Sequence, residues 1–360
     1  MNVLFFIALL LHSQAVSDEN NVDRYLRDGL ALEQEGRPEP ALKLWNDVIP
    51  TLEYPSVIIA TEYLRIAAEY ELMNYYRASS SIYLDVMYVS DENAFQHGRS
   101  ELEKELLRLE PIMEESEFSA CQQLLNENDP ELFKRIWAFW ASLDPTPDTG
   151  YNERLLEHWL RIAYSREHFT RKNDPPYGTD ERGLYYVKYG EPDKIDEGRV
   201  RITYDDIQTV LNQLVPIPDN DPSSAGGNNF DLMKVANRIQ NLFINPEYEL
   251  WIYNTPVGDM SGNMVLIFGH RSGGSFERLE TLEDFIPESA FNLRVQSSID
   301  PSLPPVPAGM VLQWLYYEYF AKKDPYFSGL FSNYYSTMQG YIGISNGFDS
   351  PPPLILSQCG

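Results

Sequence analysis

The sequence predicts an α+β fold, with an α-helical amino-terminal region followed by a mixed α+β domain built on a small antiparallel sheet. Three observations predict it. Residues 18–126 repeat apolar positions at helical spacing between charged ones. Three later segments, 184–189, 248–253 and 264–268, read as strands. The last two are joined by a loop rich in Gly, Pro, Asn and Ser, the composition of a hairpin connection. With 43% hydrophobic residues in a chain of 360, there is apolar material for one large core or two modest ones.

Charge bounds the partners. The chain holds 28 Lys+Arg against 54 Asp+Glu, a formal net charge of −26. A nucleic-acid backbone or an anionic membrane surface would be repelled, so no nucleic-acid partner is expected. The two cysteines cannot form a disulfide framework, and no spacing reads as a zinc module.

The first element is MNVLFFIALLLHSQAVS, residues 1–17, with an apolar run from Val3 to Leu11. That run is roughly half the length a bilayer-spanning helix needs, so the expectation is a removed signal peptide, cleaved after Ala15 or Ser17. Its n-region lacks Lys and Arg, and the alternative is a buried amino-terminal strand or helix. No later apolar stretch approaches the length of a membrane span, so no transmembrane segment is expected. The expected location is therefore outside the cytoplasm, periplasmic or secreted and soluble after cleavage. In that oxidising setting Cys121 and Cys359 are a candidate disulfide, with two free thiols as the alternative.

In the helical region, Gly29, Leu32, Gly36, Ala41 and Trp45 fall at a spacing that resembles the tetratricopeptide pattern of small and bulky positions on two packed helices. Ala68, Tyr75 and Leu84 echo the frame further on, with Ser80 in place of Ala. A plain antiparallel helical hairpin is the alternative. A third helix is expected from Glu101 to Glu115. Its charge run, ELEKELLRLEP, reads as a solvated face above Leu102, Leu106 and Leu109.

From Asp129, Leu132, Ile136, Trp137 and Trp140 predict a helix ending near Leu143, followed by the stiff connector DPTPDT. Asn152 can cap the next helix, which buries Leu155, Trp159 and Ala163 and pairs Glu157 with Arg161. LYYVKY, Leu184 to Tyr189, alternates like a strand and is stopped by Gly190 and Pro192. Residues 205–244 read as two helices around a loose loop. Tyr248 to Tyr253 and Met264 to Phe268 read as a hairpin, the latter strand apolar on both faces and so central. A Pro-rich linker then leads to an aromatic helix, Met310 to Phe320. The expected organisation is a signal peptide over 1–17, a helical region over 18–126, an α+β domain over 127–300 and a linker with aromatic segment over 301–360.

DPTPDT with Asn152-Glu153, the string from Thr179 to Asp193 (TDERGLYYVKYGEPD) and YELWIY resemble the bacterial GWxTD-domain family over roughly residues 129–275. The family's motif positions fall here on Tyr177, Thr179, Asp180, Arg182, Gly183, Tyr189, Gly190, Pro192, Asp193 and Trp251. Pro176-Tyr177 stands where the family has Gly-Trp, and Glu181 is an extra residue before Arg182-Gly183. The resemblance implies an exported protein, with repeat-like helices often beside the domain. It implies no reaction, because the family carries no established activity.

No constellation of residues announces chemistry. His12, His97, His158, His168 and His270 include no pair at the spacing that places two imidazoles on one helical face. Asp219, Asp221 and Ser223 alternate like the start of a calcium loop but lack its Gly and its Glu. Ser275 has no sequence sign of a base, and Gly269, Gly273 and Gly274 read as a strand-ending turn. Asp180 and Glu181 precede the expected first strand while Glu191 and Asp193 follow it, roughly 20 Å apart, too far for an acid–base pair. Trp314, Tyr316, Tyr317, Tyr319 and Phe320 crowd one element, either a core helix or a surface for a partner. No catalytic residue, cofactor or metal is expected. The leading expectation is a non-enzymatic scaffold that binds another envelope protein. The alternatives are a carbohydrate-active or peptide hydrolase, using Asp180 or Asp193 with an acidic residue of 205–259, and a glycan-binding module stacking sugars near Trp314.

Overall fold

A computed structural model describes residues 21–52, 54–172, 175–214, 233–242, 244–254, 264–270, 275–295 and 305–344. The expected signal segment, the Asp219–Ser223 stretch and Cys359 lie outside the described residues. The fold is α+β, helical at the amino-terminal side with a four-stranded antiparallel sheet further on. The chain divides into two compact units between Gly190 and Glu191.

The first unit is wholly helical among its described elements. Helices α1 (Asn21–Gln34) and α2 (Pro38–Val48) form a hairpin whose turn places Gly36 at φ +73, a conformation glycine adopts without strain. Pro38 opens α2, where its missing N–H leaves no bond unmade. Trp45 lies flat against Gly29, where any Cβ would collide with the indole, and its N–H donates to the Tyr25 carbonyl at 2.8 Å. Helices α3 (Val57–Glu69) and α4 (Tyr76–Val89) pack on each other as a second helical pair, with Ala68 and Ser80 buried. Ser56 caps α3.

Helix α5 runs over Glu92–Leu109 behind the cap of Asp91, whose Oδ1 accepts from Ala94 N at 3.0 Å. The expected third helix therefore begins and ends earlier than its charge pattern suggested. Helix α6 (Glu115–Glu127) stops at Asn128, which takes the left-handed conformation at φ 55. Helices α7 (Glu131–Leu143) and α8 (Glu153–His168) follow as expected. Asn152 caps α8, accepting from Leu155 N at 2.8 Å, and its amide donates to Trp140 O at 2.7 Å, which ties the connector to α7. One apolar core includes Leu64, Tyr83, Phe95, Leu106, Cys121, Phe133, Trp140, Trp159 and Val187. It runs without interruption through the expected boundary near residue 127.

The segment Leu184–Tyr189 is not a strand. It is the body of helix α9, Glu181–Tyr189. Asp180 caps the helix start, and Gly183 and Val187 are buried four residues apart, a helical rather than an alternating pattern. The β-branched and aromatic content of LYYVKY favours a strand only weakly, and the cap and packing of α9 override it.

The second unit holds the sheet, in the order β1 (Lys194–Arg199), β2 (Glu247–Tyr253), β3 (Met264–Gly269), β4 (Glu277–Leu279). All three pairings are antiparallel, with Trp251 opposite Ile195 on one side and Leu266 on the other. β1, KIDEGR, has no apolar alternation because it is an edge strand largely exposed along its length. The core of this unit gathers α10 (Tyr204–Leu214), a helix over 233–240 designated α11, α12 (Glu288–Asn292), and α13 (Ala308–Ala321). A short pairing of β5 (Arg294–Val295) with β6 (Val306–Pro307) leads into α13. Helix α14 (Pro325–Ile344) packs on α13. The aromatic segment expected beyond residue 301 is thus part of this unit's core, with Trp314, Tyr316 and Phe320 buried. No described helix is long and apolar enough to cross a membrane.

Candidate functional site

The motif residues of the first unit form a loop and a helix start, and most of them hold backbone in place. An isolated bridge pairs Arg171 with Thr179, closed by Lys172 N to Gly178 O at 2.9 Å and Asp180 N to Thr170 O at 2.8 Å. Gly178 turns the chain at φ +75. Tyr177 plunges from this loop into the core, where its hydroxyl donates to Arg108 O at 2.8 Å. Arg166 Nε returns a bond to the Tyr177 carbonyl at 2.9 Å.

Asp180 follows at the cap of α9. Its side chain is wholly buried and takes bonds from Arg182 N at 3.1 Å, Nε at 3.2 Å and Nη2 at 2.7 Å. The Arg182 guanidinium lies 5.1 Å over the Phe169 ring. Gly183 is needed because the Thr179 side chain occupies the space a Cβ would fill. At the far end of α9, Arg161 donates to Val187 O at 3.2 Å, and its guanidinium lies 2.8 Å from where a Cβ would stand on Gly190, itself at φ +83. Arg161 is held there by Glu157, the expected ion pair. Tyr189 stacks on Tyr185 with centroids 6.2 Å apart.

The remaining motif positions belong to the second unit. Pro192 is buried, and Asp193 Oδ2 accepts from Asn254 N at 2.6 Å, joining the start of β1 to the end of β2. Trp251 is buried beside Phe268, with ring centroids 4.8 Å apart, and its indole N–H donates to Glu249 at 3.1 Å.

The residues that surround Tyr177 were not legible as a site. The charge pattern places Glu101 and Glu105 on a solvated face, yet both are buried, Glu105 completely. Arg108 Nη1 donates to Glu101 at 2.9 Å and to Glu105 at 2.8 Å, and Tyr83 donates to Glu105 at 2.5 Å. Burial would lower the Arg108 pKa, but Glu105 and Glu101 hold it protonated. Burial and then Glu105 push the Tyr83 hydroxyl well above its ordinary value, and burial does the same to Tyr177. His158 is 1% exposed, between Trp140 at 5.3 Å and Tyr177 at 6.0 Å, and neither ring nitrogen has a hydrogen-bond partner among the described residues. Burial lowers its pKa well below the ordinary range, with Arg154, Arg108 and Arg161 adding to the effect. The spacing of Glu101, Glu105 and Arg108 on one helical face was the available signal. What it lacked was any indication that this face turns inward.

Among the described residues no group of three or more His, Cys, Asp or Glu could hold a metal ion. The rings around Trp314 do not form an open stacking platform, since Trp314 is buried edge-on against Phe331, Tyr334 and Tyr335. No family model, curated protein or solved structure matches the chain.

Proposed function

We propose that the chain is an exported, envelope-associated interaction module of the GWxTD-like type, acting by binding another envelope protein rather than by turnover. The observation that carries this reading is the fate of the motif carboxylates. A catalytic carboxylate has to reach substrate, whereas Asp180 is buried and closed off by Arg182, and the exposed Asp193 commits its Oδ2 to the Asn254 backbone. Export is supported by the apolar run Val3–Leu11 and its small, polar flank. The helical region supplies contact surface, with Met73 strongly exposed at the α3–α4 turn beside exposed Tyr70, Glu69 and Glu71.

The test is crosslinking of the tagged full chain in its native envelope, followed by identification of the adducts. One dominant protein adduct, weakened by Met73→Glu, is the expected result. Steady hydrolysis of a glycan or peptide that is abolished by Asp180→Asn or Asp193→Asn would overturn the reading in favour of a hydrolase.

A further inference from the structure

Helices α1, α3 and α6 of the first unit end with the same pair of backbone bonds. After α1, the Gly36 and Arg37 amides donate to Glu33 O at 2.8 Å and Leu32 O at 2.9 Å. After α6, those of Asn128 and Asp129 donate to Leu125 O at 3.3 Å and Leu124 O at 2.9 Å. After α3, those of Glu71 and Leu72 donate to Ala68 O at 3.2 Å and Ala67 O at 2.9 Å. This closure puts Gly36, Asn128 and Glu71 in the left-handed region, at φ +73, +55 and +51. Glycine and asparagine adopt that conformation readily, whereas the Cβ of a glutamate crowds its carbonyl there.

The turn that holds Glu71 also carries an apolar tip. Met73 is 76% exposed, the most exposed large apolar side chain among the described residues, and Tyr70 is 43% exposed. Leu72, Tyr75 and Tyr76 pack on the core beneath them. Carboxylates rim this tip. Glu71 is exposed, and together with burial it raises the Tyr76 hydroxyl above its ordinary value. Burial, Glu33 and Glu69 do the same to Tyr70 against the opposing charge of Arg65. The nearby cations are already engaged, Arg65 by Glu33, Glu62 and Glu69, and Arg166 by Glu69. Four carboxylates thus meet two guanidiniums, and the rim keeps a negative charge.

We propose, resting on the interaction-module reading, that this turn docks a partner protein segment presenting a Lys or Arg beside an apolar side chain. The cation meets Glu71, and the apolar group lies on Met73 and Tyr70. Charge complementarity selects this occupant. An acidic segment is repelled by the rim, and a purely apolar one would strip water from Glu69 and Glu71 without supplying a counter-charge. A docking carboxylate also accounts for a glutamate held in the left-handed region, where glycine closes the turn of α1 without strain.

Selection of a phage-displayed random peptide library on the immobilised full chain tests this, with a parallel selection on the Glu71→Lys chain. The expected peptides, enriched on the wild type alone, carry Lys or Arg next to Leu, Met, Phe or Trp. A synthetic peptide of that consensus should bind in isothermal titration, and more weakly as salt is added. Glu71→Lys and Met73→Glu should each reduce its affinity by about tenfold or more, with far-UV circular dichroism unchanged. Glu71→Gly should weaken the peptide while raising the melting temperature by about 2 °C, because it relieves the left-handed glutamate. No peptide enriched on wild type over Glu71→Lys, or enriched peptides without basic residues, overturns the proposal. So does a consensus peptide that is lost in Met73→Glu but kept in Glu71→Lys; the tip would then still bind protein, without a cationic partner. The interaction-module reading fails separately, through hydrolysis abolished at Asp180 or Asp193.

Discussion

His158 should make the first unit sensitive to acid. Its ring nitrogens have no hydrogen-bond partner among the described residues, and burial, with the positive charges of Arg154, Arg108 and Arg161 adding to it, favours the neutral imidazole in the folded state. In the unfolded chain it titrates near its ordinary value of 6.5. Below that pH the unfolded state binds a proton that the folded state refuses, and stability therefore falls as pH falls. The stability is fully present above the unfolded pKa, and it declines at about 1.4 kcal/mol per pH unit while His158 remains neutral. Between about pH 7.5 and pH 5 the loss comes to about 2 kcal/mol. Carboxylates begin to titrate in the same range, so the assay is a comparison: urea unfolding followed by tryptophan fluorescence, for wild type and His158→Leu, at both pH values. The variant should lack the His158 share of the slope. At neutral pH it should be as stable as wild type or more so, because two unbonded ring nitrogens cost about 1–3 kcal/mol to bury. Equal pH slopes in the two proteins would refute the argument, because they would mean that His158 is protonated in the fold or reaches solvent.

Three further outcomes are expected. Gly183→Ala should destabilise the first unit by about 1–3 kcal/mol, since its methyl overlaps the Thr179 side chain, and Thr179→Ala in the same chain should restore most of the loss in thermal melts. Asp180→Ala removes the cap of α9 and the carboxylate that takes three bonds from Arg182, so a loss of about 3 kcal/mol or more is expected; adding Arg182→Met should recover part of it in a double-mutant cycle. Burial pushes the Cys121 thiol up to about 11, so in a Cys359→Ser chain at neutral pH it should react with a maleimide only after denaturation.

The elements read most accurately from sequence were those whose signal is local. The Asn152 cap, the Leu155 and Trp159 stripe and the Glu157–Arg161 pair of α8 appear as their spacing requires, because helix periodicity and capping act within a few residues. The hairpin of β2 and β3 was legible for the same reason, and β3 lies between β2 and β4 as its two apolar faces demand. The segment LYYVKY failed because its composition and its packing disagree. Aromatic and β-branched residues suit a strand, but Asp180 at one end and Arg161 at the other satisfy a helix's free backbone groups. β1 was overlooked because an edge strand need not alternate.

The motif positions themselves stand out in the sequence, and their partners do not. By itself the sequence determined the α+β class, the order of most helices, the acidic balance and the string from Thr179 to Asp193. Only the tertiary structure decided that this string divides between two compact units, that Glu101 and Glu105 turn inward to Arg108 and Tyr83, and that the aromatic helix α13 is core. The physical reason is range. Caps, turns and periodicity are settled between residues a few positions apart, whereas burial of a carboxylate depends on what a helix dozens of residues away presents to it. Tyr177 meets Arg108 and Tyr83 meets Glu105 only once the helices have packed.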